Sequence, residues 1–318
     1  MGERSEGMRI AVLGAGGGLG RNVVDAALAA KHDVVALVRD PKRAALPEGV
    51  TTVVGDATRV DDAVRAMTGA DAAMFCVNPP FATWLTTFRP LLQCAIAAAR
   101  QTKSRLVFPA NVWIYGAGRV DQLIAESHMP SPTSRRGRLR AEMEQGIHAA
   151  GIRYAMVRLP EFYGPSVVSL TARVFRAALA DRRVLWPGPL DVTSELVYMP
   201  DAARVLVEVA VAADCDASVF HLPGVRTTPR QFAELVYRAA GRKPRVFGVP
   251  HWLLSAAGVF DPTARGAADI GHLWRYPILL DGAKYTARFG AIPQSPLAEA
   301  IATTLAWHHT HPTLRLQA

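Results

Sequence analysis

From residue 8 onward, short uninterrupted apolar runs alternate with stretches of helical spacing. The runs are Arg9–Leu13, Val34–Val38, Thr51–Val54, Ala72–Val77, Leu106–Phe108 and Tyr154–Leu159. Polar, Gly or Pro punctuation follows them: Gly14, Arg39-Asp40-Pro41, Gly55-Asp56, Asn78-Pro79-Pro80 and Pro160. Helical spacing covers Asp61–Met67 and Phe88–Thr102. Strands without polar alternation are buried on both faces, so the pattern predicts an α/β, doubly wound parallel sheet covered by helices on both sides. The second half is less regular. It predicts helices over Asp201–Ala213, over Pro229–Ala240 with Thr228 as cap and Gly241 as stop, and over Ser295–His308, with a short strand at Val219–Leu222. The expected division is a nucleotide-binding domain over 8–160, to which about 190–222 returns, and a smaller C-terminal substrate lobe over 161–318.

The first run meets a glycine cluster, Gly14-Ala15-Gly16-Gly17-Gly18-Leu19-Gly20, and helical spacing resumes at Arg21-Asn22-Val23-Val24. Strand, tight turn and helix in that order form a diphosphate-binding turn. Glycines let the backbone turn and let phosphates approach the first helical amides, where the helix dipole favours negative charge. Gly14 and Gly17 are expected to leave room for the phosphates and the turn. Gly20 is expected to let the helix pack close on the strand.

Ligands on such a sheet lie beyond the carboxyl ends of the strands, which directs attention to the residues after each run. Arg39 follows the second. An acidic residue there binds ribose hydroxyls, whereas arginine accommodates a 2′-phosphate, so NADP is favoured, with Asp40 keeping NAD as the alternative. Asp56 is placed to accept from an adenine amino group or to cap the segment starting near Thr58. Asn78 lies where the chain passes under a cofactor.

Composition narrows the partners. The formal charge is +9, but the basic excess is spread over both halves without a stripe, so no nucleic-acid partner is expected. Cys76, Cys94 and Cys215 have neither disulfide nor metal spacing. The polar start, Met1–Gly7, has no apolar core of a signal sequence, and no stretch is long enough to span a bilayer. A cytoplasmic protein with no membrane partner is expected.

The chain resembles an extended short-chain dehydrogenase/reductase of the NAD-dependent epimerase/dehydratase group. The resemblance rests on the glycine cluster, Gly55-Asp56, Val112-Trp113-Ile114-Tyr115-Gly116, Arg158-Leu159-Pro160 with Tyr163-Gly164-Pro165, Val197-Tyr198-Met199-Pro200-Asp201-Ala202-Ala203, and Phe220-His221-Leu222-Pro223-Gly224. It implies a Rossmann domain carrying NAD(P), with Gly14, Gly16, Gly17, Gly18, Leu19, Gly20, Arg39, Asp56, Ala57, Val77, Asn78 and Pro160 as the cofactor-binding positions. It also implies a tyrosine four residues before a lysine on one helix face, the pair that moves the proton while hydride moves at the nicotinamide.

That pair is missing. No Tyr-x-x-x-Lys occurs in the chain. If Arg136 stands for the lysine, Pro132 holds the tyrosine position; if Arg138 does, Ser134 holds it. Pro109-Ala110-Asn111 stands where the family has serines. The catalytic candidates are therefore Tyr115 as a relocated proton donor, Asn111 as a hydrogen-bonding partner and Arg136 as a cation, with Tyr163 and Glu161 next. The expected function is an NAD(P)-dependent oxidoreductase or epimerase-like enzyme acting on a small organic metabolite. The alternatives are an NmrA-like NADP-binding sensor without turnover, which Leu37-Val38-Arg39-Asp40-Pro41 also resembles, and a non-redox enzyme with a structural cofactor. Trp186, Trp252, Phe260 and Trp274 hint at a hydrophobic substrate. His308, His309 and His311 read as a frayed terminus rather than a metal site. A homodimer is expected from the resemblance.

Overall fold

The computed structural model describes residues 7–119 and 121–311. Of the polar N-terminal stretch, only Gly7 falls within them. In chain order the first elements are β1 (Arg9–Leu13), α1 (Gly18–Ala29), β2 (Asp33–Val38), α2 (Pro41–Ala44), β3 (Val50–Val54), α3 (Val60–Met67), β4 (Ala72–Phe75), α4 (Trp84–Thr102) and β5 (Arg105–Asn111). Then come β6 (Leu123–Ile124), α5 (Arg135–His148), β7 (Tyr154–Leu159), β8 (Glu161–Tyr163), α6 (Leu170–Leu179), β9 (Val184–Trp186), β10 (Ser194–Tyr198), α7 (Met199–Val211) and β11 (Ser218–His221). The last are β12 (Val225–Thr227), α8 (Pro229–Ala239), β13 (Val246–Gly248), α9 (His251–Ala257), α10 (Pro262–Ile270), α11 (His272–Arg275), β14 (Leu279–Leu280), α12 (Ala283–Phe289) and α13 (Leu297–Thr310).

The central sheet runs β11-β7-β5-β4-β1-β2-β3, all parallel. Strand order reverses between β1 and β4, which opens a crevice at their carboxyl ends. The apolar runs, broken in β7 only by the buried Arg158, place β4 and β7 wholly in the core, with α1 and α7 on one face and α3, α4 and α5 on the other. Gly20 lets α1 lie directly on the end of β1: a Cβ there would stand 2.2 Å from the Gly14 carbonyl oxygen.

The fifth strand is longer than the apolar run predicts and continues through Pro109 and Ala110 to Asn111, pairing with β7 throughout. The chain returns to the large sheet through α7 and β11. The β10 strand, within the stretch expected to return, instead joins β12 and β8 in a second small sheet. That sheet packs with α6, α8 and α13 around Phe175, Trp186, Phe232 and Tyr237. The Thr228 cap is a full capping box with Gln231, and Gly241 follows α8 at φ +68°. His308 is not part of a frayed end. It is buried in this lobe, its ring stacked on Phe175.

Candidate functional site

The turn from β1 to α1 is built by backbone alone. Gly14 takes φ +86°, a conformation that disfavours a side chain, and a Cβ there would come within 2.9 Å of the Val77 backbone. Val77 therefore forms the floor under the turn. Gly16 and Gly17 are exposed, the N-cap Gly17 has no capping side chain, and no acidic residue stands in the first turn of α1. The first-turn amides of α1 are thus left for an anion. The glycines act partly through neighbours the sequence does not reveal. Gly16 abuts the Ala44 side chain, and Arg21 Nη1 donates to the Ala44 carbonyl oxygen at 2.6 Å, so α2 forms one wall. A Cβ on Gly18 would meet the Ser166 carbonyl oxygen at 2.3 Å, and Asn22 Nδ2 donates to the Pro165 carbonyl oxygen. The loop after β8 forms the other wall. Leu19 is half-buried at the same turn, while Pro160 is buried at the end of β7.

At the end of β2, Arg39 is exposed and close enough to Asp56 to favour its charged form. Asp40 is committed elsewhere: its Oδ1 accepts from the backbone N–H groups of Lys42 and Arg43 at the start of α2. Asp56 closes a turn, its Oδ1 accepting from the N–H and Oγ1 of Thr58 at 2.9 Å. The Thr58 N–H chiefly holds this carboxyl below the usual range, with Arg39 and Arg59 adding to the effect. Asp56 does not cap α3, whose N-cap is Arg59. Ala57 is half-buried beside it, and Asn78 is exposed beyond β4.

The catalytic candidates fare differently. Asn111 ends β5, and its Oδ1 accepts from the Trp113 N–H at 3.2 Å. Tyr115 is 1% exposed. Its hydroxyl lies 2.6 Å from His221 Nε2 and accepts from Arg158 Nη1 at 2.5 Å. His221 Nδ1 faces the Ile124 carbonyl oxygen at 2.9 Å, which fixes the proton on Nδ1 and makes Nε2 the acceptor for the phenol. Burial pushes Tyr115 up to about 12 and His221 down to about 4, so both stay neutral. Arg158 is in turn held by Glu144 Oε2 at 2.7 Å. Tyr115 is thus a strut tying β5, β7 and β11 together, not a phenol open to substrate.

Arg136 is also committed. Its Nη1 pairs with Asp269 Oδ2 at 3.3 Å, and its guanidinium lies 4.1 Å over the Phe81 ring. Neither expected register of the missing pair holds. Pro132 precedes α5, Ser134 is its N-cap, and Arg138 is exposed. The arginines that share the buried face at four-residue spacing are Arg136 and Arg140. Arg140 donates from Nη2 to the Pro109 carbonyl oxygen at 2.6 Å and lies over Phe108, and burial pulls it down to about 10. Two guanidiniums therefore occupy the Tyr-to-Lys spacing, and neither can serve as a phenolic acid.

Beyond β7 the picture differs. Glu161 stands at the first position of β8, immediately after Pro160, and burial pushes its carboxyl up to about 7 against a weaker pull from the Ser169 side chain. Tyr163, two residues on, is fully buried against Tyr198 and Phe232, and burial raises it further from ionisation. Trp186 and Trp274 pack edge-to-face within the lobe core rather than lining a crevice, while Trp252 and Phe260 are exposed. The sequence reading assigned no buried partner role to Arg140, Glu144, Arg158 or Asp269. The i, i+4 spacing of Arg136, Arg140 and Glu144 is the signal that could have revealed the first two. Among the described residues, no group of three His, Cys, Asp or Glu side chains could hold a metal, and no helix is long and apolar enough to cross a membrane.

Comparison with known proteins agrees with this geometry. A family model described as NAD(P)H-binding matches residues 14–168. An uncharacterized protein of Mycobacterium tuberculosis is 26% identical over 234 residues, covering 72% of this chain. The chain spans 23% of that relative's length. Among solved structures, a dTDP-glucose 4,6-dehydratase from Streptomyces venezuelae with NAD bound has TM-score 0.78 at 18% identity, over 95% of this chain and 97% of that one. A UDP-glucose 4-epimerase from Thermotoga maritima with UDP-glucose has TM-score 0.76 at 17% identity, over 96% and 100%. Residues 14–168 thus match a family of NAD(P)H-binding domains, and the chain shares its fold with the dTDP-glucose 4,6-dehydratase and the UDP-glucose 4-epimerase.

Proposed function

We propose that this chain is an NADP(H)-dependent enzyme of oxidoreductase or epimerase type, acting on a small organic metabolite, in which Glu161 rather than a phenol handles the proton. The observation that carries the reading is the position of Glu161. It follows directly on a central parallel strand, at the sheet end where substrates lie, and its carboxyl titrates near neutrality. When bound, the dinucleotide supplies the hydride donor or acceptor. Glu161 then gives a proton to the substrate oxygen in the reducing direction and takes it back in the oxidising one. Asn111 offers an amide to a substrate oxygen without acid–base capacity. NADP is preferred because Arg39 is exposed at the end of β2 while Asp40 caps α2.

The test is NADPH consumption with a panel of ketones, enones and imines, alongside binding of NADPH by calorimetry. Turnover on any of them, abolished in Glu161→Gln with NADPH binding retained, supports the reading. A second reading has its own observation: two arginines hold the Tyr-to-Lys spacing, and Arg136 is locked to Asp269. On that reading the protein binds NADP without turnover, as a sensor. Tight NADPH binding with no oxidation across the panel selects it.

A further inference from the structure

The two-stranded β9–β13 sheet has one covered and one open face. Phe247 lies beside Leu185 in the parallel register, and both are exposed, whereas Val184 and Trp186 point into the lobe. By strand alternation Arg183 and Arg245 share the open face, two residues before Leu185 and Phe247. Arg182, Arg242 and Lys243 are exposed around it. The chain then runs into α9, in which no residue is buried. Trp252 there is 70% exposed, and Phe260, just past the helix, is 91% exposed, with Leu253 and Val259 also in solvent. Isolated exposed apolar residues need no explanation, but a run of large ones does.

The charge within this run is basic. Residues 182–190 and 242–260 contain five Arg or Lys and no Asp or Glu: Arg182, Arg183, Arg242, Lys243 and Arg245. Asp181, Asp191 and Asp261 stand at the margins of these windows; Asp181 lies 3.8 Å from Arg245, and Asp191 accepts from Arg230 Nε at 2.7 Å. Exposed Phe247 and Leu185 beside Arg183 and Arg245, followed along the chain by exposed Trp252 and Phe260, match a lipid headgroup layer, where rings sit at the acyl boundary and cations meet phosphates. We propose that this face, β9–β13 with α9 and the turn after it, docks on an anionic phospholipid surface without crossing it. On this proposal the chain is a peripheral protein.

The experiment is flotation of the full chain with vesicles of phosphatidylcholine alone and of phosphatidylcholine mixed equally with phosphatidylglycerol, at low and high salt, with the oligomeric state measured in parallel. The expected result is flotation with the mixed vesicles only, falling at high salt. The Phe247→Ser, Trp252→Ser, Phe260→Ser variant should lose it, and the Arg183→Gln, Arg242→Gln, Lys243→Gln variant should weaken it at least tenfold. Both should keep the parent circular dichroism and NADPH affinity. Absence of flotation with the mixed vesicles overturns the proposal, as does equal flotation with neutral ones. A dimer that the aromatic variant dissolves, with no flotation, makes the face a self-interface and overturns it too.

Discussion

Asp269, on α10, caps α5 and pairs with the first buried arginine of that helix. Its Oδ1 accepts from the Arg135 N–H at 3.1 Å, and its Oδ2 faces both the Arg136 N–H and Nη1 at 3.3 Å. One carboxylate thus meets the positive end of a helix and a guanidinium that is largely out of water. Removing it leaves a buried cation with only the Phe81 ring and carbonyl oxygen as partners. Asp269→Ala is expected to cost about 3 kcal/mol in urea unfolding, with faster proteolysis inside 251–275. Asp269→Asn should recover part of the loss by keeping the cap.

The division of labour between Arg39 and Asp40 predicts coenzyme preference. Asp40 is committed to the start of α2, so a ribose carrying a 2′-phosphate meets a cation rather than a free carboxylate. A charge-assisted hydrogen bond of this kind is worth about 1.5–3 kcal/mol. Arg39→Ala is therefore expected to weaken NADPH binding by roughly ten- to a hundredfold and NADH binding little, as read by calorimetry. Equal losses for both would remove the 2′-phosphate role.

Tyr115 separates a structural phenol from a chemical one. In Tyr115→Phe the ring still packs against Ile114 and Ile278, but Arg158 loses an acceptor and His221 Nε2 loses its donor. Leaving such groups buried and unpaired costs about 1–3 kcal/mol. Thermal unfolding should show that loss, while NADPH binding and any turnover measured below the new melting range stay within a factor of about three. Abolished turnover in a folded Tyr115→Phe protein would restore the phenol to the chemistry.

These cases mark where the sequence is legible. The sheet is, because β1, β2 and β4 carry continuous apolar runs, and β7 one broken only by Arg158, whose period needs no partner to interpret. The cofactor turn is legible for a local reason at Gly20, which acts on the Gly14 backbone a few residues away, whereas the Val77 backbone that Gly14 meets could not be read from the turn itself. Tyr115 looked chemical because its position after β5 could be read, whereas its partners His221 and Arg158 lie 106 and 43 residues away. Arg136 looked like a free cation because Asp269, 133 residues on, could not be placed against it. The helix start decides which arginines face inward, and that start depends on the Ser134 cap, whose Oγ accepts from the Gly137 N–H. A one-residue uncertainty there rotates every side chain by about 100°, enough to mistake Arg138 for the inward residue.

Glu161 carries a pH signature in both stability and rate. Its folded carboxyl lies near 7 against an ordinary 4.5. Below pH 4.5 it is protonated in both states and costs nothing. Between 4.5 and 7 the unfolded chain ionises first, so stability is lost as pH rises, and above 7 the loss is complete. Each unit is worth about 1.4 kcal/mol, so after allowing for partial exposure the loss is on the order of 2 kcal/mol. Glu161→Gln cannot ionise and should therefore match the parent at pH 4.5 and exceed it at pH 8. Rate moves separately: reduction needs the protonated acid and should fall as pH rises through 7, whereas oxidation needs the carboxylate and should rise. A variant that gains stability at pH 8 yet keeps both rate profiles would make Glu161 a buried acid with no part in the chemistry.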